Sequence, residues 1–190
     1  MELLADIGNT TTVFGLQKGD LITSIWRLPS GRLETEDELF AILESLLESK
    51  GSSIDEVDGL CVASVVPSLN RSIQYFAAKY LREPAVFLKP DRFVSLELKA
   101  DNPGEIGADR LANVIGASVH YGANAVVIDV GTAITIDVLK ENAFVGGSIL
   151  PGPSTSMSAS SPKPQNFLKW NYFSKIIILE LTQKTTSGSG

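Results

Sequence analysis

The sequence predicts an α/β fold built around a repeated strand-turn-strand unit. Two observations carry that expectation: the order in which hydrophobic periods of two and of 3.6 residues follow one another, and an internal repeat that opens each half of the chain. MELLADIGN and TTTVFGLQ are short β-rich runs meeting at Gly8 and Asn9, and DLITSIWRL reads as a third strand after Lys18, Gly19 and Asp20, which makes a meander. TEDELFAILESLLESK changes period and sets Leu39, Ile42, Leu43, Leu46 and Leu47 on one helical face, with Thr35 and Glu38 spaced as a capping box. VDGLCVASVV is then a buried strand, SLNRSIQYFAAKYL a helix opened by Pro67, and PAVFL another strand. IGADRLANVIGASVHYG reads as a connecting helix. NAVVIDVG and TAITIDVL form a new strand-turn-strand, and NAFVGGSILPG a further strand ending in a Gly-Pro turn.

DIGNTTTVFGL and DVGTAITIDVL align without gaps, setting Asp6 on Asp129, Gly8 on Gly131, Thr12 on Thr135 and Leu16 on Leu139. Two copies of one supersecondary unit point to a duplicated domain with a cleft between its halves.

Composition narrows the function. At 190 residues, 44% hydrophobic and 20% charged, the chain has globular composition for one ordinary domain or two small ones. A net charge of −6 and a pI near 4.8 give no basic field for phosphate backbones or anionic lipid, so neither nucleic acid nor a membrane surface is expected as a partner. The single cysteine, Cys61, lies in an apolar run and reads as a small buried hydrophobe. No apolar stretch approaches the ~20 residues that span a bilayer, and Met1 leads straight into a strand. A cytoplasmic protein is expected.

The turns carry phosphate chemistry. Glycine after a strand lets backbone approach a ligand closely, and exposed N–H groups with the hydroxyls of Thr10, Thr11 and Thr12 and the amide of Asn9 suit anionic oxygens. Asp6, on the strand just before, is placed to orient magnesium directly or through water. A solvent-facing threonine turn is the plainer alternative for one copy, but two copies, each with an acid inside an apolar strand, argue against it. In NPGEIGADRLAN, Gly107, Ala108, Asp109 and Arg110 fall at a helix N-terminus. There the N–H groups and a guanidinium offer an anion a corner, and Asp109 is positioned to accept a hydroxyl proton. An ordinary helix-start acid and a surface Asp-Arg pair are the alternative there. His120 near the end of this helix reads as dipole compensation. No Cys/His ligand set, nucleophile elbow, GxGxxG or Walker loop occurs, which removes zinc hydrolases, serine hydrolases, Rossmann dehydrogenases and P-loop enzymes as leading readings.

With DIGNTTTVFGL, ASVVP, NPGEIGADRLAN, DVGTAITID and GGSILPG in this order, the chain resembles the bacterial type III pantothenate kinases from Met1 to about Ser160. The resemblance implies duplicated ribonuclease H-like (actin-like ATPase) domains, the second incomplete: residues 1–115, then 116–160, then a non-family tail over 161–190. It implies ATP-dependent phosphorylation of the primary hydroxyl of pantothenate, the first step of coenzyme A synthesis. The matching ATP segment is Asp6, Ile7, Gly8, Asn9, Thr10, Thr11, Thr12 and Val13, with Thr132 a further contact. The pantothenate site matches Gly107, Ala108, Asp109 and Arg110; Asp109 matches the proton acceptor, and Arg110 would hold the substrate carboxylate. Asp129 matches a ligand of potassium or ammonium, and family members are dimeric. Bvg accessory factor proteins, which act in transcriptional regulation, share these motifs, and other kinases of the superfamily share the fold.

The tail SSPKPQNFLKWNYFSKIIILELTQKTTSGSG departs from the family. Back-translated and read from the third codon base, it allows a string resembling the family's continuation, so a reading-frame change near Ser161 or Pro162 is expected. The tail is expected to be disordered, with KIIILELT a candidate aggregation segment, and the chain to be weakly stable and weak or inactive as a kinase.

Overall fold

The computed structural model describes residues 1–92, 96–153 and, for the backbone, 175–180. It contains β1 (Glu2–Ile7), β2 (Thr11–Lys18), β3 (Leu21–Pro29), α1 (Glu36–Glu48), β4 (Gly59–Ser64), α2 (Pro67–Tyr80) and β5 (Val86–Phe87). These are followed by β6 (Glu97–Leu98), α3 (Ala108–Tyr121), β7 (Ala125–Val130), β8 (Ala133–Lys140), β9 (Ala143–Pro151) and β10 (Lys175–Glu180). Two compact units result, the first holding Met1–Arg92 with Gly107–Asp109 and the second the remaining described residues.

In the first unit β1, β2 and β3 form the expected antiparallel meander, extended by parallel β4 and β5 in the order β3-β2-β1-β4-β5. Alternation along β1 and β2 turns Leu3, Ala5, Ile7, Thr12, Phe14 and Leu16 to one face, all buried. The helices bring Leu39, Leu43 and Leu47 of α1 and Leu69, Ile73 and Phe76 of α2 into the same core, each such side chain stabilising the fold by about 2 kcal/mol. Ile42 and Leu46 sit half-buried at the edge of the α1 stripe. Thr35 caps α1 by accepting from the Glu38 N–H at 3.2 Å, but the Glu38 carboxylate returns to the Thr35 hydroxyl at 3.0 Å, whereas a full capping box would reach the backbone N–H.

On the surface, Asp37 of α1 accepts from Lys79 Nζ at 2.6 Å and from the Tyr80 hydroxyl at 2.5 Å, and the Tyr80 ring stacks on Phe40 with centroids 4.2 Å apart. Lys79 first, then Tyr80, hold the Asp37 carboxyl below its ordinary range, and Asp37 in turn raises the Lys79 ammonium.

Cys61 corrects the sequence reading, because it is exposed. The run around it is continuously apolar and therefore gives no phase, and in β4 it is Leu60 and Val62 that turn to the core. Cys61 lies level with Leu4 of β1 and Val86 of β5 on the opposite face. Partial desolvation, and then the Glu2 carboxylate, push its thiol upward, away from the reactive thiolate.

In the second unit β7, β8 and β9 repeat the meander, in a sheet ordered β10-β7-β8-β9-β6. Glu141 and Asn142, with φ of 53° and 57°, make the two-residue turn between β8 and β9. The two copies differ in the first turn. In the first, Ile7 faces Thr12 and the Gly8 N–H donates to the Thr11 carbonyl at 3.1 Å; in the second, Val130 faces Ile134 and the Gly131 N–H donates to the Ala133 carbonyl at 2.9 Å. The second turn is therefore one residue shorter. Asp6 still matches Asp129 and Gly8 matches Gly131, but Thr12 matches Ile134 and Leu16 matches Val138, so the gapless alignment is out of register beyond the turn. A slip of one exchanges the two faces of a strand. Thr135, Asp137 and Leu139 thus share the face of Asp129, while Val126, Ile128, Val130, Ile134, Ile136 and Val138, which match the buried face of the first copy, are half-buried.

Within the tail, the apolar run supplies β10, antiparallel to β7 with Ile177 opposite Ile128, in the seat that parallel β4 takes beside β1. Residues 161–174 and 181–190, on which the expectation of a disordered tail also rests, lie outside the described residues. Among the described residues no helix is long and apolar enough to cross a membrane.

Two outcomes are expected from the α1 contacts. Thr35→Ala should lower the stability of the first unit by about 1 kcal/mol, read as a lower urea midpoint at unchanged slope. Because the Asp37 carboxyl is depressed in the folded state, its contribution is present above the ordinary carboxylate value near 4 and is lost as pH falls through the folded-state value. Thermal melts should therefore show wild type ahead of Asp37→Asn at neutral pH and the two converging below about pH 4; a gap independent of pH would deny the assignment.

Candidate functional site

The first turn is braced from beneath. Thr12 is fully buried, and its hydroxyl lies 2.9 Å from Ser30 Oγ, which donates to the Gly8 carbonyl at 2.6 Å, while the Ser30 N–H donates to the Thr10 carbonyl at 3.1 Å. Ile7 is equally buried, and its carbonyl accepts from the Val65 N–H at 3.1 Å. Of the segment Asp6–Val13, the side chains of Ile7 and Thr12 thus hold the turn, Val13 is half-buried, and Asp6, Asn9, Thr10 and Thr11 are exposed at its outer surface. A Cβ on Gly8 would stand 3.0 Å from the Thr11 carbonyl, which keeps the turn tight. Beside it a cavity of about 310 Å³ is bordered by Asn9, Ser30, Glu34, Val66 and Ser68, where α2 begins. Turn amides and the N-terminal end of a helix together favour an anion.

Still in the first unit, Asp109 folds back over Gly107. A Cβ there would stand 2.5 Å from Asp109 Oδ1 and 3.4 Å from Val65 Cγ1, so only glycine admits this placement of the carboxylate at the start of α3. Ala108 is buried and Asp109 half-buried.

Arg110 belongs to the second unit, where it pairs with Asp137 of β8. Arg110 Nε and Nη2 both donate to Asp137 Oδ1, at 2.8 and 2.5 Å, with side-chain exposures of 13% and 0%. Leaving either charge alone would cost about 3–5 kcal/mol. The guanidinium also lies over the Phe144 ring, 5.7 Å from its centroid. One turn along α3, Asn113 Nδ2 donates to Asp129 Oδ2 at 3.1 Å. The GADRLAN motif thus sends Arg110 and Asn113, three apart on one helix face, to two acids on one sheet face. Thr135 lies between those acids, its buried Oγ1 without a hydrogen-bond partner among the described residues.

The GGSILPG strand completes the arrangement. Gly146, at φ 125°, sits at the bulge where β9 shifts register against β8. A Cβ on Gly147 would run into the Ile136 carbonyl and stand 2.6 Å from Asp137 Oδ1 and 2.7 Å from Arg110 Nη2. A Cβ on Gly152 would collide with the carbonyls of Gly131 and Thr132, so the end of this strand lies directly on the second turn, and its N–H donates to the Thr132 carbonyl at 3.0 Å. Thr132 itself is exposed. A cavity of about 500 Å³ opens beside the ion pair, bordered by Ala100, Asn102, Glu105, Arg110, Phe144 and Gly147 among others. His120 is exposed in the last turn of α3, where a cation suits the dipole.

As for ions, Asp6 is an exposed hard-oxygen donor beside the turn amides, which fits magnesium held through water. Asp129 is one half-buried carboxylate at the end of β7, and a single negative charge fits a monovalent cation. Among the described residues no three acid, histidine or cysteine side chains cluster as a metal site. Sequence reading did not single out Asp137 or Asn113. Asp137 carried a signal, an acid alternating with apolar residues in TAITIDVL.

A family model described as type III pantothenate kinase matches residues 2–163. The type III pantothenate kinases of Kosmotoga olearia, Thermosipho melanesiensis and Brevibacillus brevis are 51%, 42% and 39% identical to it, each over 84% of this chain. The chain spans 61%, 62% and 63% of the length of these relatives. Among solved structures, a protein assigned to the Baf transcriptional activator family from Campylobacter jejuni aligns over 83% of this chain and 58% of its own, at 21% identity and a TM-score of 0.49. The match takes in both turns, the GADRLAN helix and the glycine strand that lies on the second turn, and the chain belongs to the type III pantothenate kinase family.

Proposed function

We propose that this chain serves ATP-dependent phosphorylation of pantothenate to 4'-phosphopantothenate, the first step of coenzyme A biosynthesis. The observation that carries the reading is the 51% identity to the Kosmotoga olearia kinase across 159 residues, with the family match over residues 2–163 taking in both turns, the GADRLAN helix and the glycine strand. Phosphoryl transfer asks a protein for positioning and charge neutralisation more than for covalent help. Asn9, Thr10 and Thr11 at the braced turn, with Thr132 at the second, take the ATP phosphates, while Ile7, Thr12 and Val13 support from below. Gly107, Ala108, Asp109 and Arg110 bind pantothenate, Arg110 by the carboxylate. Asp109 accepts the proton of the primary hydroxyl as its oxygen bonds to the γ-phosphorus and the bond to ADP breaks. Magnesium, when bound, neutralises phosphate charge, with Asp6 as its carboxylate; Asp129 would hold potassium or ammonium. The family resemblance supports a cytoplasmic homodimer as the working form.

The test is pantothenate-dependent release of ADP by the purified chain, with 4'-phosphopantothenate identified as product. Asp109→Asn should lower kcat about a hundredfold or more while the KM for pantothenate stays close to wild type. A chain that binds ATP and pantothenate but forms no phosphopantothenate, or an Asp109→Asn variant with unchanged kcat, would overturn the proposal.

A further inference from the structure

The geometry points to Asp137 as a positioning residue that fixes Arg110 as the carboxylate-reading wall of the 500 Å³ cavity, so that a free carboxylate on the substrate is selected by direction rather than by net charge. The inference rests on the reading of Arg110 given above and names what makes that arginine selective. Arg110 borders the cavity, yet its side chain is only 13% exposed. A guanidinium is planar, so holding Nε and Nη2 on one oxygen of Asp137 fixes the plane of the whole fork, and the Phe144 ring supports its face. Gly147 leaves room for the clamp, since a Cβ there would run into the Ile136 carbonyl and also crowd Asp137 Oδ1 and Arg110 Nη2.

Charge alone would not gather an anion here. Asp137 offsets the formal charge of Arg110, and the exposed Asp101 and Glu105 also border the cavity. Recognition of a carboxylate therefore depends on N–H groups aimed at it. The residue that aims them is buried in β8 and makes no claim on the substrate itself.

Pantothenate and panthenol, in which an alcohol replaces the carboxylate, separate the two explanations by calorimetric titration of the full chain. Wild type should bind pantothenate at least about tenfold more tightly than panthenol, the scale of a hydrogen bond to a charged group. Asp137→Asn, which removes the charge, and Asp137→Ala, which removes the whole clamp, should each bring that ratio toward one with panthenol affinity retained. A variant that weakens both ligands in proportion, or keeps the wild-type ratio, overturns the proposal. Should neither variant fold, the Arg110 Nε–H resonance of isotope-labelled wild type should move with pantothenate and not with panthenol; no selective movement overturns it. Carboxylate-selective binding without phosphorylation would sink the kinase reading alone, whereas a wild type indifferent to the carboxylate sinks this one.

Discussion

A carboxylate at zero exposure in the middle of β8 is the constraint around which the second unit is arranged. Asp137 stands among Ile136, Val138 and Leu139, where an isolated charge would not be tolerated. Its cation comes from α3, which sets the axial position of that helix against the sheet. Once Arg110 reaches Asp137, the helical repeat brings Asn113 over Asp129 with no further adjustment, and Leu111, Val114 and Ala117 fill the buried side of the helix. On the neighbouring strand the Ile136 carbonyl and the ion pair together leave room only for glycine at position 147, and the bulge at Gly146 sets β9 into the register that presents it.

Turn length decides whether this is possible at all. The second hairpin turns one residue sooner than the first, which places Asp137 on the face of Asp129 and Val127. In the first hairpin the equivalent seat, opposite Leu4, belongs to Gly15, and the seat opposite Asp6 to Val13. With the longer turn, Thr135 and Asp137 would lie on the other face together with Ile128 and Val130, away from Asn113 and Arg110. A single residue in a loop thus separates a polar docking face from an apolar one, as the strict two-residue period of a strand requires.

Most of the architecture was legible because it is written in periods: the meanders, the leucine stripe of α1, Pro67 at the head of α2 and the connecting helix all stand where alternation and capping put them. What failed was phase. Cys61 sits in the unbroken apolar stretch Leu60–Ala63, so nothing in its immediate neighbours says which face it takes. The repeat was visible through Asp-x-Gly, but letters alone favour the gapless match of threonine with threonine, while backbone hydrogen bonds place the deletion inside the turn. In the candidate site the sequence offered single residues, and the pairs that the structure brings together were not visible. Arg110 and Asp137 lie 27 positions apart, and Asn113 and Asp129 lie 16 apart; no local pattern links either pair.

The two matching acids differ in their settings. Asp6 and Asp129 each stand next to last in the first strand of a hairpin, two residues before a glycine, yet Asp6 is exposed while Asp129 is half-buried; Asp129 accepts an amide N–H from Asn113. A hydrated carboxylate meets a strongly hydrated divalent ion on equal terms, since water can stay between them. A carboxylate that already spends a lone pair on an amide, in a less hydrated setting, offers less charge and a more fixed direction, which suits an ion of one charge that sheds water readily. Duplication supplied the same acid twice. In the second copy the acid is the less exposed of the two, and α3 brings Asn113 against it.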